Sequence, residues 1–333
     1  MKLCVLGGGS WGIALSVHLK RAGHDLTLWE FDKVKAKELD EKRENPVILP
    51  GITLPRDITV TDNMEKALAG REGVVVVVPS HVVRSTAKTA ASFWPKGAWV
   101  TCAAKGLEEE THLRMSEVLK QNLNSNVSIG VLSGPSHAEE VSRQMPTTVV
   151  SASADKELAV TVQKAFHSDY FRVYTSTDVV GIELGASLKN VIAIAAGITD
   201  GLGLGDNAKA ALMTRGLHEI TRLGLAFGAQ AKTFAGLAGM GDLIVTCTSR
   251  HSRNRLLGEK IGKGATLEQA LKEMVMVAEG VKSSKAAVAL AREAKVEVPI
   301  TEEVYKVLFE GKKAKEAVIS LLSRAAKPEQ DFA

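Results

Sequence analysis

The chain has 333 residues, of which 45% are hydrophobic and 24% charged, with a formal net charge of +4. That is apolar material for one large domain or two ordinary ones, and a charge that suits small anionic ligands without demanding nucleic acid. Three cysteines far apart and eight histidines without ligand spacing argue against a disulfide framework and against a metal site.

The first element is the apolar run Lys2–Leu6, which reads as a short buried strand. It breaks into glycine at Gly7, Gly9 and Gly12, and then Leu15, Leu19 and Ala22 recur on one helical face up to Gly23, a natural helix stop. "DLTLWE" alternates as a second strand ending at Glu30. Strand, glycine turn, helix and strand in this order form the dinucleotide fingerprint. In that setting Gly7 makes the tight turn, Gly9 lets a pyrophosphate approach the backbone, and Gly12 lets the helix pack close to the sheet. The phosphates then lie on the free N–H groups of the helix N-terminus. Glu30, 18 positions after Gly12, suits a ribose 2′-hydroxyl and repels a 2′-phosphate, which favours NAD over NADP. The same residue also reads as a solvated strand-end charge, and Lys33 beside Asp32 could still meet a phosphate.

The glycine-broken N-terminal run is too short for a signal peptide, and no segment approaches the roughly 18 consecutive apolar residues of a membrane span. A cytoplasmic protein is expected. "GVVVVVPS", "AWVTCAAKG", "VSIGVLSGPSHAEEV", "TTVVSAS" and "FRVYTS" continue as strands, the near-continuous valine runs being those of a parallel sheet covered on both faces. Cys4 and Cys102 fall in such runs and are expected to be buried. Ligands of such sheets bind beyond the carboxyl ends of the strands, which is where Lys105 and the segment Gly134–Ala138 fall.

From about Gly181 the valine runs give way to helical stretches, "ASLKNVIAIAAGITDGL", "NAKAALMTRGLHEITRLGLAFG" and "TLEQALKEMVMVAEG". The predicted organisation is a doubly wound, mostly parallel α/β dinucleotide-binding domain over residues 1–180, and an all-α domain over 181–333 for substrate binding and catalysis, with a frayed tail "AAKPEQDFA". Lys189 lies among apolar neighbours, where desolvation favours the neutral amine and so a general base. It reads equally as a lysine at a helix start whose ammonium reaches water. "SRHSRNRLLG" places Ser252, Arg253, Asn254 and Arg255 at the start of a helix-like run, which reads as a phosphate-binding turn or as a basic surface loop. Glu279, between an apolar stretch and a glycine, reads as a helix-end charge.

"GGGSWG", "AAKGLE", "SGPSHAEE", "LKNVIAIAAGITDGLGLGDNAKAALMTRGL", "AGMGDLIVTC", "SRNRLLG" and "VAEGV", in order over nearly the whole chain, resemble the soluble NAD(P)-dependent glycerol-3-phosphate dehydrogenases of bacteria. The resemblance implies reversible hydride transfer between sn-glycerol 3-phosphate and dihydroxyacetone phosphate, mainly toward reduction to supply phospholipid synthesis. It also implies a homodimer. From the modest charge and the short apolar runs, neither nucleic acid nor membrane insertion is expected. Carried over by position, Lys189 corresponds to the proton acceptor. Lys105, Gly134, Ser136, Asn190 and Asp242 correspond to substrate contacts, with Lys105 and Asp242 beside the reacting centre and Lys105 also near the cofactor. Ser252, Arg253 and Asn254 correspond to the holders of the substrate phosphate. Ser10, Trp11, Ala138, Val277 and Glu279 correspond to cofactor contacts, joined by Arg253 and by the glycine turn. Many relatives carry a basic residue after the second strand. This chain has Glu30-Phe31-Asp32, the NAD-using pattern, and the expected cofactor is NAD with NADP tolerated. His137 stands where relatives often have an aromatic residue and is expected to pack. Two other readings remain: a hydroxy-acid dehydrogenase, which needs a carboxylate site in place of "SRNR", and a non-catalytic dinucleotide sensor, which has no use for Lys189 or Asp242.

Overall fold

In the computed structural model, which describes residues 1–274, 278–326 and 328–329, the chain divides into two units. The first comprises Met1–Lys105 and Leu113–Val179, the second Gly106–His112 and Val180–Ala333. The excursion Gly106–His112 is not signalled by any change in sequence pattern. Val277, Lys327 and residues 330–333 of the tail lie outside the described residues.

Most apolar runs of the first unit become strands because they bury their side chains on both faces; Phe171–Ser176 instead alternates buried and exposed residues. β1 (Lys2–Leu6), β2 (Asp25–Trp29), β3 (Thr59–Thr61), β4 (Gly73–Val76), β5 (Trp99–Cys102), β6 (Ile129–Ser133), β7 (Thr147–Ala152) and β8 (Phe171–Ser176) form one sheet. Their order is β3-β2-β1-β4-β5-β6-β7-β8. β1 lies between β2 and β4, parallel to both, with Leu6 opposite Trp29 on one side and Val76 on the other. The sheet reverses once, where β7 pairs antiparallel with β6, and β8 then runs parallel to β7. Apolar runs encode burial and not direction, so the reversal has no signature in the sequence. Nor does β3, a three-residue strand "TVT" at the sheet edge.

The helix α1 (Ser10–Arg21) buries Gly12 through Leu19. Ala22 caps it, and Gly23 follows at φ +87°, the left-handed position that ends a helix cheaply only in glycine. His18 anchors this helix. Its Nε2 donates to the Phe166 carbonyl at 2.7 Å, and its Nδ1 accepts from the Tyr170 hydroxyl at 2.9 Å, because a carbonyl can only accept. Burial pushes the imidazole down from 6.5 to about 4. The unfolded chain therefore binds the proton that the folded chain refuses, and stability is full above pH 6.5 and lost as pH falls toward 4. Urea unfolding is expected to show this loss between pH 7 and pH 5, on the order of 2 kcal/mol, with a flatter profile in a His18→Gln variant. An unchanged profile in that variant would contradict the assignment.

The second unit is built around the helix Val179–Gly201, buried from Gly181 to Thr199. Among the described residues it is the one helix apolar and long enough to cross a membrane, with a mean hydropathy of 1.6 and 89% of that window buried inside the protein. Glycines let its backbone touch the helix Arg253–Gly262. A Cβ on Gly197 would stand 1.9 Å from the Arg255 carbonyl oxygen, and one on Gly258 would stand 2.0 Å from that of Ile194. Gly201 and Gly262, one turn further along each helix, also face the opposite backbone, where a Cβ would stand 2.3 Å and 2.5 Å from the Glu259 and Ile198 carbonyl oxygens. The predicted continuous helix "TLEQALKEMVMVAEG" is corrected. Leu267–Lys272 is one helix, and Glu279 opens another, Glu279–Ala294.

Candidate functional site

In the first unit the glycine turn follows β1 directly. Gly7 has φ +125°, and a Cβ on Gly12 would stand 1.8 Å from the Gly7 carbonyl oxygen. Both glycines are therefore imposed by the protein's own backbone. Gly9 is different: a Cβ there would meet no atom within 4 Å. Gly9 is also the N-cap of α1, and it provides no side-chain cap. The first-turn N–H groups thus have no side-chain partner at the cap, which is the arrangement that receives an anion. Ser10 and Trp11 open the helix, half-buried. Glu30 stands beside this turn. Its Oε2 accepts from the Gly8 N–H and its Oε1 from the Asp32 N–H, each at 3.0 Å, so the carboxylate is fixed at the turn. This pairing was not legible in the sequence; a Cβ on Gly8 would stand 2.6 Å from Glu30 Oε2 and displace it.

Three more predicted residues meet at the ends of β5 and β6. Gly134, at φ +140°, is packed against Val149, where a Cβ would lie 2.9 Å from that residue's Cα. Its carbonyl accepts from Lys105 Nζ at 3.0 Å and from the Ser136 hydroxyl at 2.9 Å. Ala138 begins the short helix Ala138–Val141, with His137 half-buried at its N-cap.

In the second unit Lys189 is not at a helix start. It lies in the middle of Val179–Gly201, its side chain 5% exposed, with Nζ 3.0 Å from Asp242 Oδ1. The reading of a lysine that reaches water is thereby overturned. Nζ also donates to the Thr246 hydroxyl at 2.6 Å, which in turn donates to the Asp242 carbonyl. Thr246 was missed, but it lies four residues after Asp242 on the helix Asp242–Thr248, one turn away on the same face. The chain reaches this helix through a π-helical turn, Leu237–Gly241, a form frequent at functional sites. Gly185, one turn before Lys189, lets that turn approach: a Cβ there would stand 2.8 Å from the Ala238 carbonyl oxygen. Burial opposes a charge on Lys189 while the Asp242 carboxylate favours it. The result is a proton-carrying group held in fixed geometry away from bulk water.

Ser252 caps the helix Arg253–Gly262 by accepting from the Arg255 N–H at 3.2 Å. Arg253 is exposed at its first position. Asn254 is buried, and its Oδ1 accepts from the Gly280 N–H at 2.9 Å, which leaves the amide N–H₂ end as the donor. Gly280 also packs against the Asn190 carbonyl, where a Cβ would stand at 2.7 Å. Asn190, Asn254 and the first turn of Glu279–Ala294 therefore meet at one point. Glu279, expected to close a helix, instead opens one, the favourable end for an acid. Val277 lies outside the described residues.

Two family models match. The NAD-dependent glycerol-3-phosphate dehydrogenase N-terminus covers residues 2–159, and the NAD-dependent glycerol-3-phosphate dehydrogenase C-terminus covers residues 178–319. A relative in Thermoanaerobacter sp. (strain X514), named glycerol-3-phosphate dehydrogenase, NAD(P)+, is 53% identical over 329 residues, 99% of each chain. One of the same name in Fusobacterium nucleatum is 50% identical over 99% of this chain and 98% of its own length. The crystal structure of glycerol-3-phosphate dehydrogenase from Coxiella burnetii is similar at a TM-score of 0.93 and 36% identity, over 97% of this chain and 99% of that one.

Proposed function

Since the chain belongs to the NAD-dependent glycerol-3-phosphate dehydrogenase family, we propose that it interconverts sn-glycerol 3-phosphate and dihydroxyacetone phosphate, working in the cytoplasm as a homodimer. Running toward reduction, it supplies sn-glycerol 3-phosphate for phospholipid synthesis. The cofactor is NAD or NADP. The observation that carries this reading is the buried group Lys189, Asp242 and Thr246.

A bound nicotinamide supplies or accepts the hydride. The chain's own residues do the rest. During reduction Lys189 Nζ donates a hydrogen bond to the carbonyl oxygen and gives up a proton as negative charge develops there. During oxidation it takes the hydroxyl proton. Asp242 balances the ammonium and Thr246 aims it. In a dry site such fixed partners act more strongly than in water. The Ser252–Asn254 turn, with the Asn254 amide oriented by Gly280, holds the substrate phosphate. That remote binding energy brings the carbonyl into register. Lys105, Gly134, Ser136 and Asn190 contact the substrate, Lys105 also contacting the cofactor. The turn Gly7–Gly12 receives the pyrophosphate, and the openness at Gly9 supports this fit. Trp11, Ala138, Arg253, Val277 and Glu279 complete the cofactor contacts.

Glu30, held at the turn by two backbone N–H groups, favours NAD, because its charge opposes a 2′-phosphate and its oxygens accept from a 2′-hydroxyl. Glu30→Arg is expected to shift the NADPH/NADH ratio of kcat/KM by roughly tenfold or more toward NADPH. Glu30→Gln, which keeps acceptor atoms and removes the charge, should shift it less. No shift in either variant would make Glu30 only a strand-end charge. Turnover of dihydroxyacetone phosphate that is fast beside a slow turnover of unphosphorylated dihydroxyacetone tests the substrate assignment.

A further inference from the structure

We propose, on the strength of that reading, that Asp200 is a positioning residue for the phosphate-binding turn: it grips Arg255 and so fixes residues 252–254 relative to the helix that carries Lys189. Asp200 lies near the C-terminal end of Val179–Gly201. Its Oδ2 stands 2.6 Å from Arg255 Nε, and both its carboxylate oxygens accept from Lys209 Nζ at 2.9 Å. Asp200, Lys209 and Arg255 have side chains 21%, 15% and 20% exposed. None of the three belongs to the machinery described above.

The geometry explains why the grip matters. Arg255 follows Asn254 directly, in the first turn of Arg253–Gly262. Successive helical residues turn by about 100°, so Arg255 points well away from Arg253, and its guanidinium is held by Asp200. Its backbone is tied twice at the same place. The Arg255 N–H is taken by the Ser252 cap, and its carbonyl rests on Gly197 so closely that no side chain fits there. The glycine contacts bring the two helices together but leave each free to slide or rotate on the other. A charged link from the end of one helix to the first turn of the next removes that freedom. Lys209, from the helix Gly205–Ala226, holds the carboxylate from a second side, so that Asp200 itself has one orientation. Arg255 also lies 3.5 Å from Glu259, which balances its charge but cannot locate it, since both residues move with the same helix.

The test is steady-state kinetics of Asp200→Ala and the near-isosteric Asp200→Asn. KM for dihydroxyacetone phosphate should rise roughly tenfold with kcat within about twofold, the signature of weakened uniform binding. Competitive inhibition by inorganic phosphate should weaken by a similar factor. The slow turnover of unphosphorylated dihydroxyacetone, which makes no use of the phosphate turn, should be unchanged. Asp200→Glu should recover part of the loss, and Arg255→Ala should not add to Asp200→Ala, because each breaks the same link. An Asp200→Asn enzyme with unchanged KM for dihydroxyacetone phosphate, or an equal loss on dihydroxyacetone, would overturn the proposal. Failure of the wild-type chain to reduce dihydroxyacetone phosphate at all would instead overturn the function on which it rests.

Discussion

Replacing Lys189 with Met is expected to lower kcat for dihydroxyacetone phosphate by about 10³-fold while leaving NADH binding close to its wild-type value. The chemical reason is that Lys189 Nζ, held by Asp242 and Thr246, is the group proposed to give and take the proton. The substitution has a second consequence. It strands the Asp242 carboxylate, which is 2% exposed, and removing one partner of a buried pair costs on the order of 3–5 kcal/mol. Stability and activity must therefore be separated. In Lys189→Met/Asp242→Asn the stranded charge is gone, so thermal stability should recover while activity does not. If activity returned with stability, Lys189 would be a structural cation. If Lys189→Met kept wild-type turnover, the proton-transfer role would be wrong. The variant also separates an enzyme, which would lose turnover, from a dinucleotide sensor, which would keep NADH binding and its downstream effect.

The second large effect concerns the glycine turn. Gly12→Val should abolish measurable NADH binding, because even a Cβ at that position stands 1.8 Å from the Gly7 carbonyl oxygen, and α1 must move off the sheet to make room. Gly9→Ala is the informative partner. Its Cβ would meet no protein atom within 4 Å, so the unfolding temperature should stay within about 2 °C of wild type, as for other unstrained surface changes. NADH affinity should nevertheless fall by roughly tenfold or more, since the pyrophosphate needs the space. Fluorescence titration with NADH measures both variants. A Gly9→Ala protein that binds NADH normally would show that the cofactor does not lie on this turn.

Much of the first unit was legible because its signals are local. The turn Gly7–Gly12 has its own spacing, and the strands β1, β4 and β5 are short apolar runs bounded by breakers. The reversal at β7 was not legible, since an antiparallel and a parallel buried strand read alike. The three-residue β3 carries too few residues for any period. In the second unit the apolar surroundings of Lys189 were visible, but its partner was not. Asp242 and Thr246 are more than fifty positions away in sequence and are brought to it by tertiary packing. Without that pairing, Lys189 could as well have reached water. The helix break before Glu279 was missed because "KEMVMVAEG" keeps an apolar rhythm through the end of one helix and the start of the next. The glycine crossing of the two helices was present as Gly197/Gly201 and Gly258/Gly262, but glycine spacing alone does not say what it packs against.

Under the proposed function, this chain transfers hydride to a phosphorylated ketone through a lysine poised by Asp242. The most direct test is to follow NADH and NADPH oxidation with dihydroxyacetone phosphate, and with dihydroxyacetone as the control. Fast oxidation that requires the phosphate, with NADH preferred, is the predicted result. Clear NADH binding without turnover of dihydroxyacetone phosphate by either cofactor would contradict it.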